Sequence, residues 1–356
     1  MALKSTRLTL ACFIAAACVS QSVSAVQAAG GQGKNHVVSP GPGTPIQDAV
    51  DRAHAGDTII VRAGKYREAV IVSKPLTIIG SGYGEHGTVL SPPEQQKDNP
   101  CGAPSGFCVT SRVQGSPVRD VKIERFRVQD FPGSGIIGIG TEHFTVKSVK
   151  AVNNKEYGIA SFVGHRTVIT RSAATGSQEA GLYIGDSPNA EATVSENNSS
   201  GNNGDGLLIR DSTAVTSTSS TFNDNCVGIL TASTRGSSSG NIDIRKNKAH
   251  SNTRACPAFE EAPVRSGMGI AIGGSHDVRV QGNDVRGNRA TGPTLAAGGI
   301  LVVSTVAFGG ADPKNVEVVR NTALNNEPAD LVWDLSGSNI VFAYNRHNTS
   351  IPPGLN

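Results

Sequence analysis

A glycine followed by a branched aliphatic residue recurs along the chain, and this repeat constrains the fold more than any other sequence feature. The recurrences are Gly135-Ile136, Gly158-Ile159, Gly181-Leu182, Gly206-Leu207, Gly228-Ile229, Gly269-Ile270 and Gly299-Ile300. Successive glycines are separated by 23, 23, 25, 22, 41 and 30 residues, and Asp330-Leu331 continues the series. Self-similarity at a period of roughly 20 to 50 residues is the signature of a solenoid.

Asparagine or serine residues recur in phase with the glycines, in pairs that lie five residues apart. The pairs are Ser172/Ser177, Asn197/Asn202, Ser220/Asn225, Asn247/Asn252, Asn283/Asn288 and Asn321/Asn326. A short strand of alternating apolar and polar residues precedes each pair, and such a strand buries one face. We therefore expect about three short strands in each unit, with the units stacked roughly 4.8 Å apart around a narrow core.

The fixed turn positions suggest a role for each repeated residue. We expect the glycine to mark one tight turn per coil and the asparagine another, because Asn tolerates left-handed backbone geometry. Stacked asparagines can also bond amide to amide in a ladder. Ordinary turn asparagines are the alternative, but the constant phase favours the ladder.

These repeats resemble the right-handed parallel β-helix family, the pectin-lyase-like superfamily. The resemblance is carried by segments such as ATVSENN at residues 192–198, followed by GLLI at residues 206–209, and it covers about residues 36–348. It implies an all-β fold, a single-stranded right-handed parallel β-helix, and the general rule for parallel crossovers supports the handedness. The family hosts many activities, so the motif is specific for fold and weak for function.

The start of the repeat region predicts a short capping helix. Thr44-Pro45-Ile46-Gln47 reads as a capping box with proline at the first helical position. Ile46, Val50 and Ala53 then fall on one face, and Gly56 is expected to end the helix. Such a helix would close the open end of the solenoid, as terminal units must.

The first 28 residues read as a secretory signal peptide, with the β-helix domain occupying residues 29–356. Lys4 and Arg7 precede an apolar run at 8–19, which is too short for a membrane span, and small residues offer cleavage near Ala25 or Ala28. A permanent anchor helix and a lipid anchor on Cys18 are less favoured alternatives. We expect a secreted, monomeric protein without stable membrane insertion.

Charge and cysteine content exclude some partners. The chain has 32 basic and 29 acidic residues, and removing Lys4 and Arg7 with the signal lowers the formal charge from +3 to +1. A net charge of +1 is too small to indicate binding to the phosphates of a nucleic acid. Four cysteines remain after cleavage, and their even number in an exported chain suggests disulfides. Cys101 and Cys108 bracket a short loop and form the natural local pair, which leaves Cys226 for Cys256 by elimination.

Substrate in enzymes of this family lies along the strand that begins at the repeated glycine. The outward positions on that strand form a mostly apolar stripe, namely Ile137, Ala160, Tyr183, Leu208, Leu230, Ala271 and Leu301, with Arg210 as the charged residue two positions further along. The paired acids of galacturonan hydrolases are missing from this strand. Longer loops on both sides of the strand in the C-terminal half predict either a walled groove or a cover over the stripe.

We consider two functions. One is lyase-like action on an acidic polysaccharide, with Arg210 and Arg235 binding carboxylates, His276 as base and Asp211 holding a partner. Tyr183, Glu260, Glu261 and Arg265 are the candidate substrate-binding residues. The other function is a non-catalytic carbohydrate-binding or surface scaffold, which the apolar stripe favours.

Three acidic residues near the repeated glycines form a candidate metal site. Glu156 and Glu179 occupy the same position in adjacent coils, and Asp205 is one residue off. Stacked carboxylates repel one another unless a cation neutralises them, and oxygen-rich sites favour Ca²⁺. The alternative is an exposed acidic cluster screened by solvent and by Lys155, which needs no metal.

Overall fold

The computed structural model describes residues 33–84, 86–111, 113, 115–234, 236–258 and 262–356. Within these ranges the chain winds through three long parallel sheets, and a typical coil contributes one strand to each. The longest sheet has 12 strands, so the solenoid has about a dozen coils. The predicted signal peptide lies outside the described residues. Within those residues, no helix combines the length and apolar character that crossing a membrane requires.

The strands are assigned to sheets as follows. Sheet 1 contains β1 (Asn35–Val38), β2 (Thr58–Val61), β5 (Thr77–Ile79), β9 (Lys122–Glu124), β13 (Thr145–Lys147), β16 (Val168–Thr170), β19 (Ala192–Ser195), β22 (Thr213–Thr218), β25 (Gly240–Arg245), β28 (His276–Gln281), β31 (Lys314–Val319) and β34 (Ser338–Ala343). Sheet 2 contains β3 (Gly64–Arg67), β6 (Thr88–Ser91), β10 (Phe126–Gln129), β14 (Lys150–Val152), β17 (Ala173–Thr175), β20 (Asn198–Ser200), β23 (Thr221–Asn223), β26 (Lys248–His250), β29 (Asp284–Arg286) and β32 (Thr322–Leu324). Sheet 3 contains β4 (Val70–Val72), β7 (Phe107–Thr110), β11 (Ile136–Ile139), β15 (Ile159–Phe162), β18 (Ala180–Gly185), β21 (Asp205–Arg210), β24 (Val227–Ala232), β27 (Met268–Gly273), β30 (Gly298–Val303), β33 (Leu331–Trp333) and β35 (Ser350–Ile351). Two short strands, β8 (Val118–Arg119) and β12 (Thr141–Glu142), pair separately, and the helical elements are α1 (Pro45–Arg52) and the 3₁₀ turn η1 (Val306–Phe308).

Sheet 3 contains the glycine repeat, and the aliphatic residue after each glycine points into the core. These aliphatic residues are fully buried and stack in register, namely Ile136, Ile159, Leu182, Leu207, Ile229, Ile270, Ile300 and Leu331. Burying a side chain of this size contributes roughly 1.5–3 kcal/mol. Because no single coil can enclose its own apolar face, the continuous stack forms the core of the solenoid.

Two asparagine ladders run along the coil, as the repeat predicts. In one, the Asn202 amide donates to Asn225 at 2.9 Å, and the bonds continue through Asn252 and Asn288. In the other, Asn283 donates to Asn321 at 2.9 Å, and Asn321 donates to Asn345 at 3.0 Å. Each ladder satisfies backbone and amide groups that the turns would otherwise leave buried without partners.

The predicted reason for the asparagines in these turns is wrong. The left-handed residue is the one before the ladder position, for example Asp224 with φ 52° before Asn225 and Ser251 with φ 50° before Asn252. The asparagine is therefore selected for its amide, which reaches the next coil, rather than for its tolerance of left-handed geometry.

The glycine of the repeat also does not occupy a left-handed turn. Gly228 does not have a positive φ. A Cβ at Gly228 would lie 2.5 Å from the carbonyl oxygen of Gly269 and 2.8 Å from Asn252 Nδ2. Glycine is needed at this position because the ladder amide and the next coil approach the backbone closely.

The N-terminal helix α1 forms, but the predicted capping box does not. Thr44 makes no side-chain capping bond. The buried carboxylate of Glu68 accepts hydrogen bonds from the N–H of Ile46 at 3.0 Å and of Gln47 at 2.8 Å. The Gln47 side chain bonds instead to Ile71, on the neighbouring strand β4. The apolar face is buried as predicted, and the helix ends at Arg52, before Gly56.

Candidate functional site

The outward face of sheet 3 has the register that the sequence predicts. Tyr183 pairs with Ala160 and Leu208 in adjacent coils, and Arg210 pairs with Gly185 and Ala232. The outward stripe is nevertheless mostly buried and forms apolar clusters of its own. Cys101 and Ala296, which belong to loops, pack against these clusters. Of the two predicted roles for the loops, the structure therefore shows the cover over most of the stripe.

An aromatic cluster interrupts this layer next to Arg210. The Tyr183 ring centroid lies 4.7 Å from that of Tyr157 and 4.5 Å from that of Phe162. The Arg210 guanidinium carbon lies 5.5 Å from the Tyr183 centroid, within the range of a cation–π interaction. The Tyr183 hydroxyl extends over Gly185, where any side chain would occupy its position.

Arg210 retains a partly exposed guanidinium in this apolar surrounding. Its side chain is 32% exposed, and its Nε lies 4.0 Å from Asp211 Oδ2. That distance is longer than a hydrogen bond. The Asp211 carboxylate instead accepts from Thr234, from the N–H at 2.7 Å and from the hydroxyl at 2.6 Å. Asp211 therefore links the turn after β21 to the turn after β24, and it leaves the partly exposed Arg210 without a carboxylate at hydrogen-bond distance in this pair.

Burial shifts both tyrosine hydroxyls of the cluster. Burial raises the pKa of Tyr157 far above its usual range, and the neighbouring Glu179 carboxylate raises it further. The pKa of Tyr183 is also raised by burial, although the charge of Arg210 acts in the opposite direction. Both hydroxyls are therefore protonated at neutral pH and can donate hydrogen bonds, but their raised pKa makes them weaker acids than an ordinary tyrosine.

A buried ion pair lies at the other end of β21, beneath the loop at 253–267. The Arg265 Nε lies 3.3 Å from Asp205 Oδ1, and the Asp205 side chain is 1% exposed. The backbones of Arg265 and Cys256 pair with each other, and Cys256 forms a disulfide with Cys226. Burial raises the pKa of Asp205, while the charges of Arg265 and Arg210 lower it. The disulfide therefore anchors the loop that supplies Arg265.

Both predicted disulfide pairings are confirmed. Cys101 bonds to Cys108 across seven residues, and Cys226 bonds to Cys256 across 30 residues. Spacing alone was sufficient for the local pair, because so short a loop leaves the two cysteines close together.

The three acids proposed for Ca²⁺ stack through their backbones, but their side chains have other partners. Asp205 N donates to the Glu179 carbonyl at 2.9 Å, and Glu179 N donates to the Glu156 carbonyl at 3.2 Å. Glu156 accepts from the Ser134 hydroxyl at 3.1 Å, and Asp205 faces Arg265. Among the residues that the structure describes, no group of three or more His, Cys, Asp or Glu side chains could hold a metal ion. The arginine beside Asp205 disfavours a cation there, and Ca²⁺ stays a prediction.

The predicted base, His276, begins strand β28 on sheet 1, whereas Arg210 ends strand β21 on sheet 3. Its ring bonds to the Ser238 hydroxyl and to the Asp277 carboxylate, each at 2.7 Å. Asp211, proposed to hold a partner, bonds to Thr234 instead. The remaining candidates Arg235, Glu260 and Glu261 lie outside the described residues.

Sequence reasoning did not identify several residues that the structure brings together. Tyr157 and Phe162 join Tyr183 and Arg210, and Ser238 and Asp277 join His276. The adjacent His276-Asp277 pair was visible in the sequence as a signal. The contact with Ser238 was not, because 38 residues separate it from His276.

Comparison with known proteins agrees with this architecture. Residues 105–239 match a family model described as right handed beta helix region. The fold of this protein is a right-handed parallel β-helix. The A-module of a mannuronan C-5 epimerase from Azotobacter vinelandii is similar to this β-helix, with a TM-score of 0.62 and 17% sequence identity over 85% of this chain and 89% of that chain.

Two further solved β-helices are similar. The family 28 exopolygalacturonase of Yersinia enterocolitica has a TM-score of 0.55 and 12% identity, over 89% of this chain and 76% of its own. A double mutant of a periplasmic alginate epimerase has a TM-score of 0.53 and 13% identity, over 89% and 84% of the two chains. At these identities the likeness concerns the fold alone. No curated protein matches the β-helix in sequence.

Proposed function

We propose that this β-helix is a secreted protein that acts on or binds an acidic polysaccharide, with Arg210 as the central contact. The observation that carries the proposal is the position of the Arg210 side chain, which is partly exposed and lies over the Tyr183 ring. Its Nε comes no closer than 4.0 Å to the Asp211 carboxylate. A guanidinium matches the two oxygens of a uronate carboxylate in planar geometry. The three similar structures are named for enzymes of mannuronan, polygalacturonan and alginate, which supports this class of ligand. Two disulfides support an oxidising compartment.

Lyase-like chemistry is the catalytic form of this proposal. Removal of the proton beside a uronate carboxylate requires a cation that stabilises the developing charge, a base and a proton donor. Arg210 would supply the cation. The Tyr183 hydroxyl is fully buried and a weak acid, so the base that takes the proton and the acid that protonates the leaving oxygen would have to be other residues. His276 has no role in this step, because it lies on sheet 1.

Non-catalytic binding is the second candidate, and the buried outer layer of sheet 3 favours it. Most residues of the stripe are enclosed apolar side chains, which cannot transfer protons. A stiff solenoid with one cationic contact is sufficient for binding.

Both candidate functions use Arg210 to bind a uronate carboxylate, and substitution of Arg210 tests this contact. We expect Arg210→Ala to weaken binding to a polyuronate about 10- to 100-fold, because a hydrogen bond to a charged group contributes about 1.5–3 kcal/mol. Calorimetry on the protein without its signal would measure the change. Arg286→Ala on sheet 2 is the matched control, since Arg286 pairs with Asp284 away from this face. Equal affinities for the two variants would contradict the proposal.

A polyuronate panel separates lyase action from binding alone. Unsaturated product would be followed by ultraviolet absorbance, with Ca²⁺ and with a chelator. Product formation that Arg210→Ala abolishes supports the lyase form, and a loss with the chelator supports the Ca²⁺ prediction. If the protein binds polyuronates but forms no product with any of them, the lyase proposal is wrong and the proposal of non-catalytic binding stands.

A further inference from the structure

A serine, a histidine and an aspartate form a connected array on sheet 1. The Ser238 Oγ lies 2.7 Å from His276 Nε2, and His276 Nδ1 lies 2.7 Å from Asp277 Oδ2. An ionised carboxylate only accepts hydrogen bonds, so Nδ1 carries the proton, and in the neutral ring Nε2 accepts from the serine hydroxyl. This is the connectivity of a nucleophile, a base and the group that orients the base.

The surrounding residues hold this array in place. Asn315 Nδ2 donates to Asp277 Oδ1 at 2.8 Å, so both carboxylate oxygens are bonded. The bond from His276, followed by that from Asn315, holds the pKa of Asp277 below its usual range. Gly240 leaves space for the imidazole, since any Cβ there would overlap the ring. The serine loop is fixed by Ser239 N, which donates to Ser233 Oγ at 2.9 Å, and by Gly236 N, which donates to the Gly309 carbonyl at 2.8 Å.

Other histidine–carboxylate pairs in the described part of the chain lack the serine. His250 bonds to Asp284 through Nε2 at 3.1 Å. His143 bonds to Asp120 through Nδ1 at 3.1 Å, but its Nε2 contacts Arg166. The His276 array therefore differs from an ordinary surface ion pair in having a hydroxyl on the nitrogen opposite the carboxylate.

A depression next to Asp277, at one end of the array, offers room for the sugar units beside the reacting ester. Its volume is about 250 Å³, and it is lined by Asp277, Arg279, Asn315, Glu317, Asn339 and Val341. Carboxylate, amide and guanidinium groups of this kind bond to the hydroxyls of a sugar, and Val341 adds an apolar contact. The His276 side chain is 38% exposed, so the array is open to a bulky substrate.

We propose that Ser238 and His276 form a second catalytic site, positioned by Asp277, that hydrolyses acyl esters on a carbohydrate. Ser238 Oγ attacks the acyl carbonyl carbon while its proton passes to His276 Nε2. The bond between the acyl carbon and the sugar oxygen then breaks, and His276 returns the proton to that oxygen. Water hydrolyses the acyl-serine by the same route, releasing a carboxylic acid and restoring the serine. The Ser238 N–H has no acceptor among the described residues and is available to the carbonyl oxygen in the tetrahedral intermediate.

Covalent labelling and ester hydrolysis test this site in the full chain without its signal. We expect a fluorophosphonate probe to add to Ser238, identified by peptide mass spectrometry, and p-nitrophenyl acetate to be hydrolysed. Ser238→Ala should abolish labelling, and Ser238→Ala and His276→Ala should each lower kcat about 100-fold or more. His250→Ala is the matched control and should retain both. Asp277→Asn should lower kcat with little change in KM, because Asp277 does not touch this small ester.

Several outcomes would overturn the proposal. If the probe still labels Ser238→Ala, or if His276→Ala hydrolyses the ester at the wild-type rate, the proposal is contradicted. A loss of hydrolysis in His250→Ala equal to that in His276→Ala would contradict it too. Unchanged thermal unfolding of Ser238→Ala verifies that its exposed position does not alter folding. Release of acetate from an O-acetylated polysaccharide tests the substrate class. If the protein hydrolyses p-nitrophenyl acetate but releases no acetate from the polysaccharide, the site is an esterase and its substrate is not a carbohydrate ester. The site is independent of Arg210, so Ser238→Ala should bind polyuronate normally.

Discussion

Asn252 illustrates what one residue contributes to this solenoid. Its Oδ1 accepts from the N–H and the amide of Asn225, and its Nδ2 donates to Asn288 Oδ1 and to the Phe222 carbonyl. The side chain is fully buried, so water cannot replace these partners.

Removal of this amide should therefore be costly. We expect Asn252→Ala to lower the free energy of unfolding by about 2–4 kcal/mol, because several buried groups lose their partners. Denaturant unfolding would measure it. Asn198→Ala, at an exposed position on sheet 2, should change stability by less than about 0.5 kcal/mol. Similar losses for both variants would show that the ladder contributes little.

At the scale of elements, the carboxylate of Asp57 holds two segments of the N-terminal coil together. Asp57 accepts from Lys34 N at 2.8 Å, His36 Nε2 at 2.7 Å and His54 N at 2.9 Å. These contacts connect the segment before β1 to the turn before β2. The hydrogen bond from His36, followed by the two backbone N–H groups, holds the pKa of Asp57 well below its usual range.

This carboxylate should make the N-terminal coil sensitive to acid. A lowered pKa in the folded state means that the stabilisation is present above the unfolded pKa of about 3.9 and is lost as the pH falls below it. Denaturant unfolding at several pH values should give a steeper loss for the wild type than for Asp57→Asn. The exposed Asp98→Asn should behave like the wild type. Parallel profiles for wild type and Asp57→Asn would contradict this role.

At the scale of the whole molecule, the repeat forms one continuous solenoid from Gly33 to Asn356. Each coil contacts mainly its neighbours, so stability accumulates along the axis rather than around one central core. Both proposed sites accordingly lie on outward faces, with Arg210 on sheet 3 and His276 on sheet 1.

Export is the prediction that concerns the whole chain. When the protein is expressed with its natural N-terminus in a bacterial host, we expect it outside the cytoplasm, with an N-terminus at Val26 or Ala29 and no free thiol among the remaining cysteines. N-terminal sequencing and thiol titration would check it. Retention of Met1 on the exported protein would indicate an anchor instead.

The repeated, local features of the sequence determined the architecture. Strand alternation fixed which aliphatic residues face the core, the constant phase fixed the ladders, and the short spacing of Cys101 and Cys108 fixed one disulfide and, by elimination, the other. Contacts between distant segments were decided by tertiary structure alone. Glu68 caps α1, Arg265 meets Asp205, and Ser238 reaches His276, because these contacts depend on loop paths and side-chain directions that have no period. The functions proposed for this β-helix therefore rest on contacts that the repeat does not encode.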